Sequence, residues 1–540
     1  MPVVRLYYED LEQMVGASRE LILERLPMMG ADVGKSLEAD YIDVEFFPDR
    51  PDLYSAEGVA RALQGFLNIK TGLPEYEVHR GSVEMYVDES VKSVRPVIGC
   101  AVVRGLRFTD PFIESLMSLQ EDLHWGLGRN RRKVAIGVHD ISRVRPPFRY
   151  IAEDPDRRTF VPLDFDESMS MREILVRHPK GVAYRHILDG FERFPLIVDA
   201  DDNVLSFPPV INGELTRVRE DTTDLFIDVT GTDPVVHRAL NIVVTALAER
   251  GGRIEGVRMI SPEKEWISPD LSPARWTVTA SEANSLIGFN LSAEELAECL
   301  RRMRFGAHPL DSSRVEVLVP AYRADIMHTW DIIEDAAKSY GYENLKAEMP
   351  ATLTIGRPHP MEELRDVVRD LMVGLGYLEV MPFTLTNEKV HFEMMRRRSV
   401  DGCTHVMHPI SELHTIIRTD ILPGLMEILS INQHHALPQR LFAVGDVVIG
   451  GRTRCHLSAV SIHSGAGFAE ISSVVSAIMR ELRISAEIVE SSDGAFIPGR
   501  GADLMLDGAR IGCFGEIHPE VISAFGLEHP VVGMELEISP

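Results

Sequence analysis

The chain has 540 residues, 45% of them hydrophobic, which is enough to bury several cores; at about 100–200 residues per domain it divides into three or four. Its 56 Lys+Arg against 82 Asp+Glu leave a net charge of −26, which opposes nucleic-acid binding over the whole surface and confines any RNA contact to local patches. There is no 18-residue uncharged apolar run and no basic-then-apolar leader, and the five cysteines (Cys100, Cys299, Cys403, Cys455, Cys513) are dispersed, so a membrane span, a secretory signal, a disulfide framework and a CxxC zinc site are all disfavoured.

In chain order, the apolar spacing predicts a helix over Leu11–Leu26 ending near Gly30, a strand over Tyr41–Phe47, a Pro-Asp-Arg-Pro-Asp turn, and a second helix over Ala56–Leu67. The same order returns downstream. Ser292 and Glu295 form a capping-box pattern that opens a helix running to Phe305, Val315–Val319 reads as a strand, and another turn follows. Both turns carry Arg-x-Asp-apolar, as Arg50/Asp52/Leu53 and Arg323/Asp325/Ile326, and each precedes a helix, so a small domain is duplicated. Between the copies, short β-type runs such as Val97–Val103, Val134–Val138 and Leu225–Val229 predict one α+β domain. After the second copy, Gly356–Pro360 reads as a linker into a helix over Met361–Val373, and the final segment closes with strands at Arg510–Gly515 and Val531–Ile538. The expected segments are 1–80, 81–265, 266–348 and 356–540.

Gly30, Gly34, Lys35 and Ser36 imitate a phosphate-binding loop, but only three residues separate the glycines and a helix precedes them, so nucleotide binding there is rejected. His405, His408 and His414 lie close in sequence, yet Pro409 breaks any regular array. The local basic patches are Arg129/Arg131/Arg132/Lys133, Arg301/Arg302/Arg304 and Arg396/Arg397/Arg398, each also readable as a solvated face. The strongest chemical constellation is Asp325, Asp331, Glu334 and Asp335, the last three on one helix face. All-oxygen anionic ligands suit Mg²⁺, while a capped acidic helix start fits the same residues equally well. Ile416-Ile417-Arg418-Thr419-Asp420 has the apolar-Arg-x-acid form of a strand that binds ATP phosphate.

Together these stretches resemble the β subunit of phenylalanine–tRNA ligase of the archaeal and eukaryotic type. The runs that carry the likeness are Phe47–Gly58, Leu127–Asp140, Leu205–Glu214, Asp228–Asp233, Arg323–Tyr342 and Gly515–Glu520. The resemblance implies an α+β multidomain fold with duplicated winged-helix-like domains, a central editing domain and a C-terminal degenerate class II synthetase-like antiparallel sheet. It implies an (αβ)₂ heterotetramer in the cytoplasm, acting on tRNA(Phe), in which the α subunit uses ATP to attach phenylalanine. It places one Mg²⁺ per chain on Asp325, Asp331, Glu334 and Asp335, near the boundary with α. It also implies that this chain hydrolyses Tyr-tRNA(Phe), with an editing pocket at Leu196, Ser206, Asn212, Glu214, Asp228 and Thr230. With no Ser/His or Cys/His pair evident, a positioned water is the expected nucleophile. The alternative is a scaffold that binds α and tRNA without editing.

Overall fold

The computed structural model describes residues 2–34, 39–352, 354–399 and 402–538. Lys35 and Ser36 of the rejected loop lie outside the described residues. The chain forms two compact units, Met1–Glu348 and Met349–Pro540. Among the described residues no helix is long and apolar enough to cross a membrane.

The first unit opens with β1 (Val3–Tyr7), α1 (Tyr8–Val15), α2 (Arg19–Arg25), β2 (Ala31–Val33), β3 (Tyr41–Phe46) and α3 (Ala56–Phe66). The single helix expected over Leu11–Leu26 is two: Gly16 adopts a left-handed φ of +78° and closes α1, and α2 restarts at Arg19. The central elements are β4 (His79–Val87), β5 (Val97–Arg104), α4 (Asp110–Trp125), β6 (Val134–Asp140), β7 (Phe148–Glu153), β8 (Thr159–Phe160), β9 (Met169–Ser170), α5 (Met171–Arg177) and α6 (Pro179–Tyr184). They continue with β10 (Phe194–Val198), β11 (Val204–Phe207), β12 (Ile211–Asn212), β13 (Leu225–Gly231), α7 (Val235–Glu249), β14 (Arg253–Ile260) and β15 (Glu265–Ser268). The unit ends with β16 (Ala274–Thr279), α8 (Ala280–Ile287), α9 (Ala293–Arg302), β17 (Gly306–Pro309), β18 (Arg314–Val319) and α10 (Thr329–Tyr340).

The repeat read from sequence is visible element by element. Each copy runs strand, helix, helix, strand, strand, turn, helix, with sheets ordered β1-β3-β2 and β16-β18-β17. From strand start through arginine, aspartate and N-cap, Tyr41/Arg50/Asp52/Ser55 keep the separations of Arg314/Arg323/Asp325/His328. The Ser292/Glu295 capping box is made, with Ser292 Oγ accepting from the Glu295 N–H at 3.3 Å and Glu295 Oε2 from the Ser292 N–H at 2.8 Å. One core runs through both copies and through α4 and α7. Arg302 and Arg304, read as part of a basic patch, are spent inside it: Arg302 donates to the carbonyls of Ser339 and Phe66, and Arg304 to that of Lys70.

The central sheet follows β12-β11-β10-β7-β4-β14-β5-β13-β6, with β15 on β14. β4 is parallel to both β14 and β7, and the other pairs are antiparallel. The strand β13 is buried along its whole length because strands flank it on both edges and side chains cover both faces. The sheet curls until its ends meet, where Asn212 Nδ2 on β12 donates to the Val138 carbonyl on β6 at 3.4 Å.

The second unit contains α11 (Pro360–Gly374), β19 (Leu378–Glu379), β20 (Leu385–Thr386), β21 (Ile416–Ile417), α12 (Leu422–Ile431), β22 (Gln439–Ile449) and β23 (Arg452–Ile462). It ends with α13 (Phe468–Glu481), β24 (Glu487–Glu490), β25 (Phe496–Leu506), β26 (Ala509–Ile517), α14 (Pro519–Ala524) and β27 (Val531–Ile538). Its main sheet is β19-β22-β23-β27-β26-β25-β24, antiparallel except for β19 beside β22. The apolar side chains of α12 cover one face and those of α11 and α13 the other.

Candidate functional site

A cavity of about 340 Å³ lies at the seam between the two ends of the central sheet, lined by α4, β6, β11, β12 and β13. It falls within the range of about 300–1,000 Å³ typical of small-molecule sites. Four of the six predicted pocket residues line it: Ser206, Asn212, Asp228 and Thr230. Two do not. Leu196 on β10 is wholly buried in the core of the sheet, and Glu214 lines a neighbouring cavity. Glu214 is clamped by Arg217, which donates from Nε and Nη2 at 2.8 Å each, and this pairing holds its carboxyl below the usual range.

Asp228 is only 1% exposed, and it is hydrogen-bonded to a residue that the sequence did not single out. His139 Nε2 lies 2.8 Å from Asp228 Oδ2, and His139 Nδ1 lies 2.7 Å from the Thr216 hydroxyl. A buried Asp228–His139–Thr216 chain, neither a Ser/His nor a Cys/His pair, thus runs along the cavity wall, although His139 itself does not line the cavity. Every residue of β6 is buried, so no alternation marked His139 as an inward polar group. The Val134–Asp140 run contained the only signal, a glycine two residues before the histidine. Gly137 faces Asp228 across the β6/β13 pairing, and a Cβ there would collide with the carboxylate and stand 2.7 Å from His139 Nε2.

A buried cation, Arg95, fixes the adjacent backbone. It donates to Thr230 Oγ1 at 3.0 Å, to the Thr230 carbonyl at 2.8 Å and to the carbonyls of Arg131 and Arg132. Burial pulls its guanidinium down to about 10, still charged at neutral pH. Arg129, Asn130 and Arg131 all have positive φ, a strained run for side chains other than glycine. Arg131 pins that run by donating to the Val210 carbonyl at 2.9 Å and to Glu121 at 2.6 Å, so it is a strap across the seam and not a free RNA-binding arginine. The result is a rigid cleft with an anionic acceptor, Asp228, and neutral polar groups from Ser206, Asn212 and Thr230 beside apolar walls.

The four predicted magnesium ligands sit in the second copy. Arg323 takes Asp325 through Nε at 2.8 Å and reaches Asp335 Oδ2 through Nη2 at 2.6 Å, which brings these two carboxylates together. Asp331 Oδ2 caps α10 by accepting from the N–H groups of Met327 and His328, and Glu334 pairs with Lys338 at 2.8 Å. The capped helix start is thus present, while among the described residues the four carboxylates are not gathered into one metal-ligating group. By donor chemistry they fit a hard divalent ion: the ion pairs they make, to Arg323 and Lys338, are fewer than the four carboxylates. The first copy keeps the same bidentate pair, Arg50 to Asp52 at 2.8 Å, but places Gly58, Arg61 and Ala62 where the second has Asp331, Glu334 and Asp335. Burial opposes the Asp52 charge, yet Arg50 holds its carboxyl down at about 2.

In the second unit Arg418 donates to the carbonyls of Asp446 and Pro382 and lies outside the cavity that Asp420 lines. His405 pairs with Glu388 at 2.8 Å, and among the described residues His405, His408 and His414 form no metal-ligating group.

The family model of the phenylalanyl tRNA synthetase beta chain CLM domain matches residues 345–538, and that of the tRNA synthetase B5 domain matches residues 276–342. Curated relatives named phenylalanine–tRNA ligase beta subunit include one from Methanothrix thermoacetophila, 93% identical over 539 residues and covering 100% of both chains. Another, from Archaeoglobus fulgidus, is 53% identical over 542 residues, covering 100% of this chain and 98% of its own. Among solved structures, an N-terminal fragment of the phenylalanyl-tRNA synthetase beta subunit from Pyrococcus horikoshii shares 39% identity at a TM-score of 0.60, covering 63% of this chain and 99% of the fragment.

Proposed function

The chain belongs to the phenylalanine–tRNA ligase beta-subunit family, and from that premise we propose that its first unit hydrolyses tyrosine wrongly attached to tRNA(Phe) while its second unit docks the α subunit, which attaches phenylalanine using ATP. The observation that carries the editing reading is the seam cavity with Asp228 in its wall. A synthetic pocket shaped for phenylalanine rejects an added hydroxyl by only about a hundredfold, so a second site must recognise that hydroxyl positively. Asp228 supplies a buried acceptor for the tyrosyl hydroxyl or the amine, and Ser206, Asn212 and Thr230 supply neutral polar groups around it. Thr216 also lines the cavity, but its hydroxyl donates to the Gly213 carbonyl at 3.3 Å, and the nucleophile in this reading is a positioned water.

Docking of a partner is supported by the surface of the second unit. Met381, Phe383, Met407 and Ile410 stand almost wholly in solvent, a density of bare apolar side chains unusual for a free surface. The diversion of Arg418 to backbone carbonyls supports a class II-like sheet with no ligation site of its own. In the proposed cytoplasmic (αβ)₂ assembly, Asp325, Asp331, Glu334 and Asp335 would hold Mg²⁺, which supplies charge neutralisation at the edge of the duplicated domain; no step of the hydrolysis runs through it.

The decisive experiment is hydrolysis of Tyr-tRNA(Phe) by the αβ complex carrying native chain or Asp228→Ala, with phenylalanine charging measured alongside. Loss of tyrosine release with charging intact is the expected result. Release unchanged by the substitution removes Asp228 from the reaction, and release no faster than the uncatalysed rate in both leaves a scaffold subunit.

A further inference from the structure

The second unit has its own cavity, of about 490 Å³, between the strand faces of β23, β26 and β27 and the segment before α12. It is lined with arginines, three of which are matched by carboxylates that line the same cavity. Arg397 clasps Asp493 at 3.0 and 2.7 Å, Arg454 meets Glu537 at 2.9 Å and Arg510 meets Asp503 at 3.0 Å. Asp420 and Glu535 face the same space as His456, and Asp420 has Arg397 Nη1 at 3.7 Å and His391 Nε2 at 3.8 Å.

We propose that Asp420, His456 and Glu535 form a divalent transition-metal site, of the class that takes Zn²⁺ or Co²⁺. One ligand atom from each of the three lies within 4.8 Å of the other two, and among the described residues no other group meets that condition. Two carboxylates at such range repel unless a proton or a cation lies between them. The scaffold is rigid: His456 stands on β23, Glu535 on the neighbouring β27, and Asp420 just before α12. Glu535 is oriented by the Ile421 and Leu422 N–H groups at 2.8 Å each and by His456 Nδ1 at 2.9 Å. His456 is 6% exposed, and its Nε2 has no hydrogen-bond partner. Nδ1 is the ring nitrogen that faces Glu535, so an ion shared by His456 and Glu535 would sit at Nδ1 and take the place of that hydrogen bond. A mixed nitrogen and oxygen donor set suits zinc-class ions over magnesium, and the cavity leaves room for water or an anionic co-ligand to complete the shell.

The test is titration of the metal-stripped full chain with Co²⁺, followed by its visible absorption, and with Zn²⁺ by calorimetry. One ion per chain is expected, with affinity lowered at least about tenfold in Asp420→Asn and in His456→Asn. Asp420 is only half-buried, so Asp420→Asn should keep the fold, shown by an unchanged metal-free melting temperature, and it carries the test alone if His456→Asn does not fold. Absence of stoichiometric binding in the native chain overturns the proposal. So does undiminished binding in Asp420→Asn, which would assign the ion to exposed histidines such as His405 or His408.

Discussion

Asp228 Oδ2 and His139 Nε2 lie 2.8 Å apart with both side chains almost wholly buried, and among the described residues no other ionisable side chain hydrogen-bonds either of them. Removing one member of such a pair leaves the other buried and unmatched, which costs about 3–5 kcal/mol. His139→Ala should therefore lower the urea midpoint of the first unit by several times the effect of Asp228→Asn, which keeps the shape and discards the charge. Equal, small effects would mean that water reaches the pair.

Gly137 is the space in which that pair sits. Gly137→Ala should displace the Asp228 carboxylate while leaving the second unit untouched. A shift of about 1 Å in a positioning group costs about 10²-fold in rate. Tyr-tRNA(Phe) hydrolysis should fall by that order with phenylalanine charging unchanged, and retention of full hydrolysis would separate the glycine from the site.

His124, on α4 behind the cavity, accepts the Ile136 N–H at Nε2 and is 2% exposed. Burial pushes its imidazole down to about 4, among Glu121, Arg131 and Lys180. The folded pKa is below the unfolded value of about 6.5, so the contribution is complete above about pH 6.5 and is lost as pH falls toward 4. Its size is on the order of 3 kcal/mol. Unfolding midpoints taken across this window should decline less steeply in His124→Gln than in the native chain.

Glu334 is exposed and its pairing with Lys338 is a surface contact worth about 0–1 kcal/mol, so Glu334→Ala should fold normally. If the four carboxylates hold magnesium, EDTA should weaken the native αβ complex in analytical ultracentrifugation, and Glu334→Ala should be weaker from the start and indifferent to EDTA. A native complex insensitive to chelation would leave these carboxylates to their pairing with Arg323 and Lys338.

Met381→Asp and Phe383→Asp change side chains that touch solvent over most of their surface. Chain stability should stay within about 0.5 kcal/mol, while affinity for the α subunit should drop by at least about tenfold, as loss of an apolar anchor does. Undiminished assembly would move the interface elsewhere.

The duplicated unit was readable because its cues are local: a capping box, an Arg-x-Asp turn and apolar spacing, each acting within a few residues. The pocket was readable only in part. Ser206, Asn212, Asp228 and Thr230 come from three strands whose meeting depends on the curl of a whole sheet, which no local pattern encodes. Leu196 failed because an apolar residue on a strand buried on both faces can serve core or cavity equally well. Glu214 failed because Arg217, three residues on, captured it. His139 was passed over for the same reason as Leu196: β6 has no wet face against which a polar residue could stand out. The basic clusters misled in the opposite direction, since charge counts cannot distinguish an arginine facing solvent from Arg131 or Arg302, which tie down carbonyls.

The seam at which β6 meets β12 gives the cleft an unusual gauge. Its two jaws are the first and last members of a long chain of laterally bonded strands, so the opening between them is set by the twist accumulated at every step along the path. Small angular errors in distant strands add up at the mouth. Arg131 and Asn212 act as a clasp that fixes the total, and the width of the cleft therefore belongs to the sheet as a whole as much as to the side chains that line it.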